Sequence, residues 1–128
     1  MESFEELKGK ILTNVENKDD DELIFTLENG ESYKLYHNQD CCEVVSIEDI
    51  VGDLKDLVGS PILIAEVAQH SGENPEGVPR KEIQDDSWTW TFYRLATMKG
   101  WVTIRWYGES NGYYSESVDW VKVSPQKR

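Results

Sequence analysis

Several things are scarce in this chain of 128 residues, and each scarcity removes a class of protein. There are only two histidines and two cysteines, and the cysteines, Cys41 and Cys42, are neighbours. Zinc motifs usually space their cysteines by two to four residues so that both thiolates converge. Neighbours on an extended backbone point to opposite sides, so at most one of these could join His37 as a ligand. No metal site and no cofactor are expected. No apolar run approaches the roughly 20 residues that span a bilayer, so no membrane association is expected. The amino-terminal stretch MESFEELKGK is acidic and amphipathic, the opposite of a secretory signal. The expected compartment is therefore the cytoplasm, where both thiols would stay reduced. A bond between adjacent cysteines would also need a strained ring.

Basic residues are scarce too. Thirteen Lys and Arg stand against 25 Asp and Glu, a formal charge of −12. Such a surface repels a phosphate backbone, so direct nucleic-acid binding is not expected. The acidity serves solubility, or it lets the protein occupy a basic groove on another protein. The chain contains no phosphate loop, dinucleotide fingerprint, nucleophile elbow, HExxH or EF-hand pattern. No catalytic residue is nominated.

What is abundant is aromatic. Five Trp, six Tyr and three Phe supply bulk for a core. The length suits one domain, expected over residues 1–123, with 124–128 as a disordered tail. Alternation of Leu23, Phe25 and Leu27, then Tyr33, Leu35 and His37, around Asn29-Gly30 predicts a β-hairpin whose two turn residues both need positive φ. Residues 10–16 read as a strand before it, closed by a turn at Asn17 to Asp21. Phe4 and Leu7 are spaced to face inward from a short helical turn. Ser46 with Asp49 resembles a capping box, and Ile47, Ile50, Val51, Leu54, Leu57 and Val58 recur at helical intervals, predicting one or two short helices. Residues 62–67 read as a buried strand and 70–80 as a long exposed loop.

The last third reads as a β-meander: Trp88, Trp90 and Phe92 on one face, Val102, Ile104 and Trp106 on one face of the next strand, a turn at 108–112, and a return from Tyr114 to Val123. The fold class expected is mostly β, of α+β type. It would hold an antiparallel sheet of six to seven strands, barrel- or sandwich-like, with one or two short helices.

Two segments hold residues that a fold alone would not require. The first contains His37, Gln39, Asp40, Cys41 and Glu43. Its imidazole, carboxylates and thiols suit ligand contact or thiol chemistry, with His37 the one base within reach of a cysteine. The plainer reading buries a cysteine as a small apolar residue and uses Asp40 or Glu43 to cap a turn. The second contains Arg105, Trp106, Tyr107, Glu109, Ser110, Asn111, Tyr113 and Tyr114. Arg105 shares a face with Trp101, Thr103 and Tyr107, an arginine among rings suited to stacking and to bidentate contact with a carboxylate or phosphate. The plainer reading makes these cross-strand pairs, with Arg105 bridged to one of many acids.

The strings Tyr36-His37-Asn38-Gln39-Asp40-Cys41-Cys42-Glu43, Leu57-Val58-Gly59-Ser60-Pro61-Ile62 and Trp106 through Ser115 resemble an uncharacterised family of small proteins encoded by bacteriophages and bacteria, often in prophages. The resemblance runs from about Leu7 to Val118 and assigns no residue a role. It implies a phage accessory protein that binds host machinery. The expected function is thus a small, acidic, non-enzymatic protein that binds a host protein in the host cytoplasm, as a defence inhibitor does. Its rival is a small-molecule binder holding an anionic ligand or nucleotide, and a further alternative is a metal- or thiol-dependent enzyme.

Overall fold

The computed structural model describes residues 3–71, 87–111 and 114–123. Among the described residues, eight strands form two antiparallel sheets of four. The strands are β1 (Leu12–Lys18), β2 (Glu22–Leu27), β3 (Ser32–Tyr36), β4 (Val44–Val51), β5 (Ile64–Ser71), β6 (Ser87–Thr97), β7 (Gly100–Ser110) and β8 (Asp119–Val123). The first sheet runs in the order β1-β2-β3-β8 and the second β4-β7-β6-β5. The mostly-β class stands, while the strand count exceeds the six or seven expected and the sheets do not close into a barrel. Among the described residues no helix is long and apolar enough to cross a membrane.

Alternation explains most of this. Leu23, Phe25 and Leu27 of β2 and Tyr33 and Leu35 of β3 are buried, while their neighbours face outward. From the second sheet Val45, Ile47, Tyr93, Leu95, Val102, Ile104 and Trp106 join the same core. Phe4 and Leu7, on the 3-10 turn Phe4–Leu7, are buried as their spacing predicts. Phe4 meets Tyr93, Trp120 and Phe25 edge-on, with ring centroids 4.8, 5.4 and 6.3 Å apart. Tyr33 stacks on Trp120 at 5.2 Å. Each such side chain contributes about 1.5–3 kcal/mol by burial, more than any exposed ion pair here.

Three local expectations are corrected. The hairpin at Asn29-Gly30 forms, but only Gly30 takes positive φ (91°). The amide of Gly30 donates to Leu27 O and that of Leu27 to Glu31 O, a three-residue turn with a bulge. The turn with two left-handed residues lies instead at Asp19 (φ 54°) and Asp20 (φ 58°), between β1 and β2. The helix expected from Ser46 is absent: β4 occupies that segment, and only Leu54–Leu57 turns, as a 3-10 turn whose amide at Lys55 donates to Asp53 Oδ1. Residues 62–67 are not one buried strand. β5 is the last strand of its sheet, and Leu63, just before it, and Val67, within it, are exposed.

The last correction is topological. β6 and β7 do form a hairpin, with Thr97 opposite Gly100. β7, however, runs on to Ser110 where a turn was expected. The chain then leaves that sheet, and β8 pairs with β3, Ser32 opposite Val123 and Tyr36 opposite Asp119. Most of the loop expected at 70–80, and the tail at 124–128, lie outside the described residues.

This topology brings the end of β3, the start of β4, the β1–β2 turn and the end of β7 to one end of the molecule. The amide of Ile47 donates to Asp20 O at 2.7 Å, tying the two sheets together there.

Candidate functional site

At that end, the β3–β4 connection wraps around a single carboxylate. Glu43 is 3% exposed. Its Oε2 accepts from the Asp40 amide at 2.9 Å, and its Oε1 accepts from the Cys41 amide at 2.9 Å and from Gln39 Nε2 at 3.2 Å. Gln39 Nε2 also reaches the carbonyls of Glu43 at 2.7 Å and Cys41 at 3.2 Å. His37 Nε2 lies 2.6 Å from Glu43 Oε2, with side-chain exposures of 4% and 0%. Burial alone pushes the Glu43 carboxyl upward, but the amides of Asp40 and Cys41 and the His37 ring outweigh it and hold the group at about 2.

The other ring nitrogen of His37, Nδ1, sits 2.7 Å from Ser117 O. A carbonyl accepts only, so Nδ1 carries a proton. An ionised carboxylate also accepts only, so both ring nitrogens of His37 face an acceptor, Ser117 O on one side and Glu43 on the other. Asp119 Oδ2 accepts from the Asn38 amide at 3.4 Å. The His37–Glu43 segment and the chain between β7 and β8 are thereby joined, 80 residues apart in sequence.

Cys41 and Cys42 are bonded to each other as a disulfide. The expectation that both thiols stay reduced is overturned. The backbone bends at both residues, so their side chains leave on the same side rather than alternating as strand neighbours do. Both residues are exposed.

A cleft of about 520 Å3 opens beside this loop, lined by Lys18, Asp19, Asp21, Glu22, Tyr36, His37, Gln39 and Val45. Lys34 Nζ lies over the Tyr36 ring at 4.3 Å from its centroid and 3.6 Å from Glu22.

The second segment does not assemble around one point. Trp106 is 1% exposed in the core, facing away from Arg105. Arg105 lies on the outer face and meets Asp49 at 3.4 Å. Tyr107 is buried on that same face against Trp90, with centroids 4.7 Å apart, and its hydroxyl donates to Glu109 at 3.3 Å. Burial, helped by the Glu109 carboxylate, pushes its phenol up to about 12. Ser110 is fully buried and donates to Glu116 Oε2 at 2.6 Å, while Thr89 donates to Glu116 Oε1 at 2.7 Å. Asn111 is exposed, Tyr114 is half-buried and Tyr113 lies outside the described residues. Trp106 thus faces the core between the sheets, while Arg105 and Tyr107 lie on the opposite face of β7.

Residues not singled out from sequence prove central here. Gly108 has no room for a side chain: a Cβ would meet Glu116 Cβ and Val45 Cγ2 at 3.0 Å. The glycine lets the chain between β7 and β8 cross close above the sheet. Its place inside an aromatic strand was the available signal. Ser117 contributes only a backbone carbonyl, which leaves no trace in residue type. Among the described residues, no three His, Cys, Asp or Glu side chains come together as metal ligands would.

A two-sheet β protein with a carboxylate-centred loop at one end is the class these features define. The chain belongs to the family described as Domain of unknown function (DUF7448), which it matches over residues 5–120. Neither the curated proteins nor the solved structures include a match to it.

Proposed function

We propose that this is a non-enzymatic binding protein of phage or prophage origin, acting in the host cytoplasm, whose loop end docks on a basic surface of a host protein. The observation that carries this reading is the direction in which the reactive groups point. Both nitrogens of His37 are engaged, by Ser117 and Glu43. Glu43 is spent on the loop amides, and neither sulfur of Cys41 and Cys42 is a free thiolate. His37 and Glu43 thus shape the loop instead of facing a substrate. The surface they leave outward is acidic: Asp19, Asp20, Asp21 and Asp40 are all exposed at this end. With a net charge of −12, it favours a basic partner and speeds encounter with one. The phage origin, and a role in inhibiting host defence, rest on the resemblance carried by the Gln39–Glu43 and Ser110–Ser115 strings.

The test is capture from host lysate with the wild-type chain and with Asp21→Lys/Asp40→Lys. A stoichiometric partner that elutes as salt rises and is lost with the charge-reversed loop supports the reading. Recovery of no stoichiometric partner at any salt, or of one indifferent to the reversal, sinks it.

A further inference from the structure

We propose that Cys41–Cys42 is a reversible thiol–disulfide exchange site, opened by small uncharged dithiols. The proposal concerns the isolated protein and does not depend on the partner inferred above. A disulfide that supports a fold does so by closing a long loop in the unfolded chain. This one joins adjacent residues, so it closes no loop and restricts the unfolded chain only locally. The loop does not need it either. Glu43 holds the amides of Asp40 and Cys41 from beneath, and Gln39 holds the carbonyls of Cys41 and Glu43. A bond that carries neither the fold nor the loop, between two exposed residues, is placed for chemistry.

The charge around it selects the reagent. Exposed Asp40 precedes the pair, and the whole chain is strongly acidic. Anionic thiols such as glutathione are repelled on approach. An uncharged dithiol is not. Its thiolate attacks one sulfur, the Cys41–Cys42 bond breaks, and the departing cysteine thiolate takes a proton from water. The second thiol of the reagent then loses its proton and displaces the mixed disulfide. Two electrons pass to the protein, which ends with two cysteine thiols while the dithiol leaves as its cyclic disulfide. The reverse reaction needs only that cyclic disulfide.

The experiment uses the full chain purified without reductant, dithiothreitol as the probe, and alkylation read by mass spectrometry. The untreated protein should take up no iodoacetamide, and a native pulse of dithiothreitol should give two adducts. The melting temperature should stay within a few degrees of the oxidised value, and excess oxidised dithiothreitol should restore the unreactive form. Reduction by glutathione at equal thiol concentration should be at least about tenfold slower, a gap that narrows in high salt. Cys42→Ser should give one adduct without any reductant and nothing to restore. Adducts on the untreated wild type, resistance to dithiothreitol until the protein unfolds, loss of structure on reduction, or equal rates with glutathione would each overturn the proposal.

Discussion

His37 Nε2 lies 2.6 Å from Glu43 Oε2, with almost none of either side chain exposed to water. Removing one partner from such a pair strands the other in a poor dielectric, which costs far more than the pair itself contributes. Glu43→Gln also sets an amide N–H against donors it cannot satisfy. We expect its melting temperature to fall by on the order of 5–10 °C, as calorimetry would read it. A loss no larger than that of an exposed Glu→Gln control, such as Glu28→Gln, contradicts this account.

The same carboxylate sets an acid limit. Its native value, about 2, is below its ordinary 4.5, so the stabilisation is complete above 4.5 and fades as pH falls toward 2. Urea midpoints measured from pH 6 to pH 2.5 should decline for the wild type within that window. Glu43→Gln starts lower and should lose this part of the slope.

Gly108→Ala places a methyl group 3.0 Å from Glu116 Cβ and Val45 Cγ2 and 3.1 Å from Glu116 O. A carbonyl and a core valine yield little, so a loss of about 1–3 kcal/mol is expected in chemical denaturation. Gly9→Ala meets nothing within 4 Å and tests backbone conformation (φ 89°) apart from crowding.

Asp19 and Asp20 both sit in the left-handed region, which glycine adopts without steric cost. Asp20→Gly should stabilise the β1–β2 turn by about 0.5–1 kcal/mol, less what is lost with the Asn17 Nδ2 bond to Asp20 Oδ1 at 2.8 Å. A stability below wild type would show that this exposed bond outweighs the backbone.

Arg105, prominent in the sequence, should matter little to stability. Its contact with Asp49 is 3.4 Å long, and the side chains are 25% and 51% exposed. Arg105→Ala is expected to cost no more than about 1 kcal/mol by denaturation. A larger loss would place the arginine in the packing of the outer face.

Period-two patterns were legible wherever the strand was regular, as in Leu23-Phe25-Leu27 and Val102-Ile104-Trp106. β4 was misread for a specific reason. A bulge between Ile47 and Asp49 shifts the alternation, so Ile47 and Ile50 both face the core, opposite Trp106 and Ile104. Apolar residues three apart then imitate a helix. The site was half legible. His37, Gln39, Asp40, Cys41 and Glu43 were singled out together, but composition could not say that the carboxylate faces inward. Nor could it show that a serine carbonyl 80 residues on completes the histidine's bonding.

The pairing of β3 with β8 bears on how the chain is made. Tyr36 meets Asp119 across more than eighty positions, so the first sheet is completed only when its last member has left the ribosome. Until then the bonding edge of Ser32–Tyr36 stands open and the His37 ring lacks the Ser117 carbonyl. Contacts of such long range slow folding, and an open edge invites pairing with other chains. Synthesis halted short of Ser117 should therefore yield a nascent chain prone to aggregate, with its acidic loop not yet set.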